Sequence, residues 1–569
     1  PLPDWILNSS TLPTQRSTDG TVQQPQKARI KFVDAASASG ISFQYFNGGR
    51  EEPQHMYEFT GGGVACIDFD CDGWPDIHLP QGADWPVDLA STEHIDALYR
   101  NNGDEFGFQV VTLEAGLSET GFSQGVAVGD FNSDGFPDLY IGNIGPNRLY
   151  LNNGDGTFTD ATPASNAAGN SWTTSCAMAD FNNDGLCDIY AVNYLADSGE
   201  PSGVFARVCP DDSGVAHACP PNQFPGATDR LMLNSGDGSF TFDDRQSAIE
   251  RTEKFGQGRG LGVIVSRSHP DRPLSIFVAN DASPNFMFHR DPETHDFAES
   301  ALELGLALNG AGRAEACMGA AWGDADGDGT QDLFVTNFEG ESNTLYLQKD
   351  GLFVDATQAW GLRDPSVALL GFGTQFLDAD LDGRLDLLIA NGHVNDLRNS
   401  GSQFRMRPQY FSNVDNRGFS ELSSETLGPY FAGEYLGRGL AILDWNRDGR
   451  TDAAISNLDA PTALLTNETE EAGHFLSLHL RGVKSSRDAI GAVVTVEIGE
   501  RRIVRQLSGG NGYQASNQRL LVFGLGSTST VDRMWIDWPS GQTQLFQNLT
   551  VDRELVIIEN RNDTSALPE

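Results

Sequence analysis

A nine-residue pattern, Asp-x-Asp/Asn-x-Asp-Gly-x-x-Asp, recurs six times in this 569-residue chain and constrains its fold more than any other feature. It reads DFDCDGWPD from Asp68, DFNSDGFPD from Asp130, DFNNDGLCD from Asp180, DADGDGTQD from Asp324, DADLDGRLD from Asp378 and DWNRDGRTD from Asp444. With five restricted positions, six copies exclude chance and mark an internal repeat. The wide interval between the third and fourth copies predicts a degenerate seventh in RSHPDRPLSIFVAN, where Arg267, His269 and Ser275 stand at ligand positions.

Each copy follows a short apolar stretch such as GVAVG and precedes another such as LYIGN, which reads as strand, loop, strand. A third segment (NRLYLNN, DRLMLNS, NTLYLQK) and a fourth (FTDAT, FVDAT, FSELS) complete four strands per repeat, the content of one propeller blade. The fold class is therefore expected to be all-β: a seven-bladed β-propeller over 28–467, followed by a small antiparallel β domain over 470–560 and a tail over 561–569. The last repeat ends at ALLTN without a fourth strand, while FVDAA at Phe32 to Ala36 has no blade of its own. Those residues are expected to close the ring, since closure removes exposed sheet edges. Residues 1–27, polar and rich in Pro, Gln and Ser, read as a flexible extension.

The repeated loop brings hard oxygen ligands to one point: side chains one, three, five and nine, plus the backbone carbonyl of residue seven, with Gly at six permitting the reversal. The expected ligands are Asp68, Asp70, Asp72, Trp74 and Asp76 in the first loop, and Asp130, Asn132, Asp134, Phe136 and Asp138 in the second. They are Asp180, Asn182, Asp184, Leu186 and Asp188 in the third, and Asp324, Asp326, Asp328, Thr330 and Asp332 in the fourth intact copy. Asp378, Asp380, Asp382, Arg384 and Asp386, then Asp444, Asn446, Asp448, Arg450 and Asp452, complete the set. Calcium, about six ions, is the expected occupant, because it takes 6 to 8 oxygens at flexible geometry and no His or Cys stands at a ligand position. A closing carboxylate at position nine, between strands and not helices, separates these loops from an EF-hand.

The formal charge of −42 disfavours nucleic acid and anionic membranes, whose binding needs Lys and Arg. That excess lies before residue 470: the last hundred residues carry 10 Lys and Arg against 12 Asp and Glu. A near-neutral tail domain without such a loop is expected to melt on its own and to be spared by EGTA. No apolar run approaches the ~20 residues that span a bilayer, and with no basic-then-apolar leader the chain reads as a processed, soluble product. Seven Cys leave at least one without an intrachain partner. Cys209 and Cys219 bracket the Pro-rich CPDDSGVAHACPP, where a disulfide would staple a loop too small to bury a core. Sequons stand at Asn8, Asn467, Asn548 and Asn562.

From His474 the strings RDAIGAVVTV, GGNGYQASNQ, FGLG and WPSGQTQ resemble the ASPIC/UnbV domain, and the repeats resemble FG-GAP/VCBS blades. Together with VANDASPN, ACMGAAWGD and ANGHV they are similar to the cartilage acidic protein family, which implies an extracellular calcium-binding protein. The blades also resemble integrin α-chain propellers, which implies protein binding or adhesion.

If the acidic loops join strands one and two, the opposite face carries an Asn series, Asn143, Asn193, Asn280, Asn337, Asn391 and Asn457, with Asp281 and His393. The candidate ligand face is Asn193, Asn280, Asp281, Asn337, Asn391 and His393, against the alternative that each Asn caps a strand end. No nucleophile elbow, zinc spacing or phosphate loop is present, so no catalytic residue is assigned. The function expected is a secreted extracellular binding or adhesion module with a protein or glycan partner. The alternative is a lectin-like sugar binder or a lyase- or dehydratase-type propeller enzyme.

Overall fold

The structure, a computed structural model, describes residues 29–49, 55–103, 105–199, 203–210, 214, 216–241, 258–268, 273–291, 296–396 and 402–566. The expected extension over 1–27 and the centre of the degenerate repeat, including His269, lie outside the described residues.

The alternation of apolar stretch and acidic loop folds as seven four-stranded antiparallel units, in a β-propeller-like all-β arrangement. Their first strands are Val64–Ile67, Ser123–Gly129, Ser171–Ala179, Gly260–Ser266, Cys317–Gly323, Gly371–Leu377 and Gly437–Leu443. Each packs beside the first strand of the next unit, and that of the seventh beside that of the first, so the seven close a ring. These strands are buried along nearly their whole length and carry no period-2 polarity, as expected where both faces are covered. In the six units with an intact motif, its last Asp opens the second strand, as in Asp138–Gly145 and Asp332–Asn337. The seventh unit takes its fourth strand from Phe32–Asp34, which pairs antiparallel with Ala463–Asn467 in the register Phe32 to Asn467.

The tail domain consists of two four-stranded sheets. One runs in the order Leu521–Gly526, His474–Arg481, Arg553–Ile558, Thr564–Ala566, the other Arg501–Gln506, Val493–Ile498, Thr530–Asp537, Thr543–Thr550. Two expectations are corrected here. The domain is not wholly antiparallel, because His474–Arg481 runs parallel to Arg553–Ile558. Nor does it end at 560, because Thr564–Ala566 pairs with Leu555–Ile557. Trp538, fully buried, sits in an apolar cluster that continues from Leu476 and Val494 into Val263 and Ile276 of the fourth unit. The two domains share a core.

The deeper joint is a finger, residues 509–519, that the tail domain pushes down the axis of the ring. It forms hydrogen bonds with the first strands of all seven units, or with residues flanking them. Gly509 and Val265 exchange backbone bonds of 2.9 and 2.6 Å, and Gly512 and Ala320 bonds of 2.8 and 3.0 Å. The Val64 N–H donates to the Gln514 carbonyl at 3.3 Å, and the Gln514 N–H to the Ser175 hydroxyl at 3.1 Å. Asn517 donates to Gln375 Oε1 at 2.9 Å and accepts from the Ile442 N–H at 3.0 Å, while Arg519 donates to the Val128 carbonyl at 2.6 Å. Gly512, at φ +59°, lies so close to Gln375 and the Leu440 carbonyl that a Cβ would meet them at 2.8 and 3.1 Å. Glycines let the finger thread a bore lined by backbone.

Candidate functional site

The six intact loops share one hydrogen-bonded scaffold. Residues four and six adopt left-handed backbone, as at Cys71 and Gly73 (φ 57° and 90°) or Leu381 and Gly383 (55° and 88°). The Gly N–H donates to the first Asp, at 2.9 Å for Gly135 to Asp130 and 2.8 Å for Gly383 to Asp378. The N–H of residue seven donates to the fifth: Trp74 to Asp72, Phe136 to Asp134, Leu186 to Asp184, Arg384 to Asp382 and Arg450 to Asp448 at 2.9 Å, Thr330 to Asp328 at 2.8 Å. The ninth residue ties the loop to its unit, accepting one backbone N–H through each oxygen: Asp76 from Phe69 and Asn101, Asp138 from Phe131 and Asn152, Asp188 from Phe181 and Asn234. Asp332 and Asp452 do the same with Ala325 and Gln348, and with Trp445 and Asn467. Asp386 accepts from the Tyr410 hydroxyl and the Asn413 N–H.

Three loops gather carboxylate oxygens within 4.8 Å of one another: Asp68, Asp70 and Asp76; Asp324, Asp326 and Asp332; Asp378, Asp380 and Asp382. Asp68 Oδ1, Asp70 Oδ1 and Asp324 Oδ1 are buried and meet no hydrogen-bond partner among the described residues. Burial, reinforced by the neighbouring carboxylates, pushes Asp68 up to about 6 and Asp378 to about 7, and burial raises Asp324 to about 7. Orphaned oxygens in a crowd of like charge are what a hard cation would satisfy, and the all-oxygen set fits calcium. The loops with Asn at position three differ, because Asn132, Asn182 and Asn446 turn their amide NH₂ toward Asp134, Asp184 and Asp448. Their side chains must rotate to offer a metal an oxygen.

The tail domain sits on this loop face. Asp488 accepts the Asp130 N–H at 2.9 Å, Arg501 donates to the Asp382 carbonyl at 2.6 Å, and the Gly473 N–H donates to the Asp380 carbonyl at 2.9 Å. Buried Arg505 donates to the Gly383 carbonyl at 3.2 Å and is attracted by Asp378 and Asp324. In the fourth unit Arg267 reaches the Trp538 carbonyl at 3.2 Å, so the degenerate repeat holds the tail domain through a cation of its own.

On the opposite face the Asn series turns into the fold. Asn143, Asn193, Asn280, Asn337, Asn391 and Asn457 are each no more than 3% exposed. Their amide groups donate to Pro146, Thr228, Pro284, Ser342, Arg407 and Pro461 carbonyls at 2.7 to 3.1 Å, so they cap the loops after the second strands. His393 is also buried, with the Asn395 N–H on Nδ1 and Glu339 at 3.3 Å. Asn467 is fully buried and donates to the Ala379 carbonyl, which removes that sequon from the surface. Of the candidate ligand face, Asp281 lines a cavity.

That cavity, of about 320 Å³, lies where the first strands begin. Leu261, Met318 and Phe372 form its floor, Phe338, Glu341 and Asp281 its wall, and residues 218–222 its roof. The roof is held by a disulfide, Cys209 to Cys219, with Cα atoms 4.9 Å apart. Behind it Tyr57, Trp85, Phe205, Trp172 and Tyr194 follow one another at centroid spacings of 4.9, 4.6, 5.4 and 5.1 Å, bracing the roof from the first unit to the third. The Tyr194 hydroxyl donates to Asp281 at 2.5 Å. Beneath Phe372 the guanidinium of Arg438 stacks 3.8 Å from the ring centroid, and its N–H groups donate to carbonyls of Phe59, Gly392, Gly437 and His393. Glu341, Phe372 and Arg438 were not legible as site residues, because they come from different units and share no motif.

The ASPIC and UnbV family model matches residues 482–564, and the FG-GAP-like repeat model matches 130–191 and 324–389. Among curated proteins the chain is 26% identical to cartilage acidic protein 1 of Mus musculus over 344 residues and 28% identical to that of Homo sapiens over 343, half of this chain in each case. The chain spans about half the length of these relatives, 52% and 51%. Two solved lectins align over most of the chain at low similarity. The lectin of Agrocybe aegerita that recognises non-reducing terminal N-acetylglucosamine is 14% identical with a TM-score of 0.37, covering 71% of this chain and 94% of the lectin. The BP39L lectin of Burkholderia pseudomallei is 11% identical with a TM-score of 0.42, covering 73% and 98%. The chain carries FG-GAP-like repeats and a C-terminal ASPIC/UnbV domain, and over half its length it is similar to cartilage acidic protein 1.

Proposed function

We propose that the seven units are the blades of a seven-bladed, calcium-loaded β-propeller, secreted, that serves as an extracellular binding or adhesion module. The observation that carries the reading is the convergence of carboxylate oxygens within 4.8 Å in three of the repeated loops, with buried oxygens of Asp68, Asp70 and Asp324 left without a hydrogen-bond partner among the described residues. About six calcium ions, one per intact loop, complete those shells. The position-nine carboxylates already hold each loop to its blade, so the ion tightens a preformed turn, and its role is structural. The tail domain covers the loop face, which leaves the opposite face, with its disulfide-held roof, to meet a partner. That disulfide suits an oxidising compartment. A chain of −42 suits partners that are not themselves polyanions.

The test is metal counting. Protein stripped with EGTA and dialysed against calcium is expected to hold about six ions by mass spectrometry of the ashed sample, with magnesium failing to replace them. One or two ions per chain, or zinc in their place, would overturn the reading.

A further inference from the structure

The cavity under the disulfide-held roof has a chemistry of its own. Leu261, Met318, Phe338, Leu370 and Phe372 give it a mainly apolar and aromatic surface, with the amides of Asn222 and Asn395 also in the lining. Two carboxylates, Asp281 and Glu341, break that surface. They feel one another's charge. Asp281 accepts from the Tyr194 hydroxyl and Glu341 from the Ala316 N–H at 2.8 Å, while Arg259 and Arg313 attract them through space, Arg259 spending its own donors on the Phe224 carbonyl. Thr60, 3% exposed, also lines the cavity, and its Oγ1 meets no hydrogen-bond partner among the described residues. A buried hydroxyl without a partner costs free energy that a ligand atom could recover.

We infer that this cavity binds a small organic cation, an ammonium on an apolar body, with the charge at Asp281 and Glu341 and the body against Phe338 and Phe372. The orientation follows from Arg438, whose guanidinium lies behind Phe372 and repels a cation from that end. Thr60 Oγ1 supplies a further polar contact. Aromatic walls beside carboxylates are the usual chemistry of ammonium recognition, because ring faces and carboxylates both attract the charge. Burial holds Asp281 up at about 6, so it carries its charge at neutral pH, and an entering cation relieves the repulsion between it and Glu341. The volume, about 320 Å³, lies at the small-molecule end of ligand sites. The inference rests on the reading of this face as the binding face.

Titration calorimetry on the calcium-loaded chain with phenethylammonium chloride, 2-phenylethanol and N-acetylglucosamine tests it. Phenethylammonium is expected to bind at least tenfold more tightly than 2-phenylethanol, and the sugar not to bind. Asp281→Asn and Glu341→Gln, which keep an oxygen for Tyr194 and for the Ala316 N–H, should each weaken phenethylammonium at least tenfold and leave 2-phenylethanol unchanged. Equal binding of the amine and the alcohol, or a preference for the sugar, would overturn the assignment. So would amine binding that survives both substitutions, since that is diffuse attraction to a −42 chain. Calcium counts on the same samples separate this outcome from failure of the propeller reading, because neither substitution touches a loop.

Discussion

Tyr513, carried by the tail domain, packs edge-on against Phe372 in the first strand of the sixth unit, ring centroids 4.9 Å apart. It is fully buried, as is Arg438, which stacks on the same phenylalanine. A near-neutral tail was expected to melt separately from the acidic repeats. The finger overrules that expectation, because the tail's own residues form the packed centre of the ring. Calorimetry in calcium should give one transition, and Tyr513→Ala should destabilise the whole chain by about 3–5 kcal/mol, the range for removing a large buried ring. Two resolved transitions in the wild type would contradict the shared core.

Calcium should be a large part of the stability. At free calcium 100-fold above Kd, one site contributes about 2.7 kcal/mol. EGTA is therefore expected to lower the melting temperature of the single transition, not of one domain alone. Asp70→Ala and Asp380→Ala should each lower it in calcium and change it little in EGTA. A substitution that costs as much in EGTA as in calcium would show that its loop is an ordinary turn.

The six loops should not bind alike. Those beginning at Asp68, Asp324 and Asp378 carry four carboxylates, whereas Asn132, Asn182 and Asn446 leave the others with three and direct their amide nitrogens at Asp134, Asp184 and Asp448. Affinity follows ligand charge. A calcium titration is expected to resolve a tighter and a weaker class, and Asn132→Asp should move one site to the tighter class. A single class throughout would remove the amide's role.

Arg438 should be intolerant of replacement. Its N–H groups bond four backbone carbonyls from three parts of the ring, and Met at this position would leave them buried without donors. At ~1 to 3 kcal/mol for each polar group left unsatisfied, Arg438→Met should cost several kcal/mol in urea unfolding. A loss below about 1 kcal/mol would mean the carbonyls find other donors.

Asp281 predicts a pH effect of known sign. Burial raises its folded value to about 6, against the lowering pull of the Tyr194 hydroxyl and Arg259, with Glu341 adding to the rise. Tyr513 and Cys317 also feel its charge. The folded state thus holds the proton more tightly than the unfolded chain, whose Asp titrates near 4. This contribution is complete below about pH 4 and is lost as pH rises through about 6, at up to ~1.4 kcal/mol per pH unit. Between wild type and Asp281→Asn, both in excess calcium, the stability difference should change between about pH 4 and pH 6 and hold constant above that. The same difference at pH 5 and pH 8 would contradict the raised value.

The repeat announced itself because each loop needs the same residues at the same spacing, and the apolar stretches beside it could only be strands. The closing strand was legible for a related reason: FVDAA matches the fourth-strand pattern of the other units, and pairs with Ala463–Asn467. What sequence could not show is how separate units converge. Glu341, Thr60 and Phe372 meet in one cavity from three different units, and no spacing along the chain encodes that. The Asn series was visible as a repeat, yet its burial was not, because a capping amide and a ligand-binding amide are the same residue at the same strand end. GGNGYQASNQ likewise carried no sign that its glycines fit a bore lined by other parts of the chain.

The finger also bears on the order in which the molecule can be made. Phe32 must wait for Asn467 before the seventh unit is whole, and Tyr513 emerges later still. During synthesis, units that leave the ribosome early can form their own sheets, since those pairings are local. Their first strands nonetheless face an axis that stays open until the tail domain arrives. The nascent ring is thus a transient species with its inner edge exposed, the state in which a chaperone or a wrong partner would find it, and what ends that exposure is a segment made after all seven units, sliding into the middle of everything built before it.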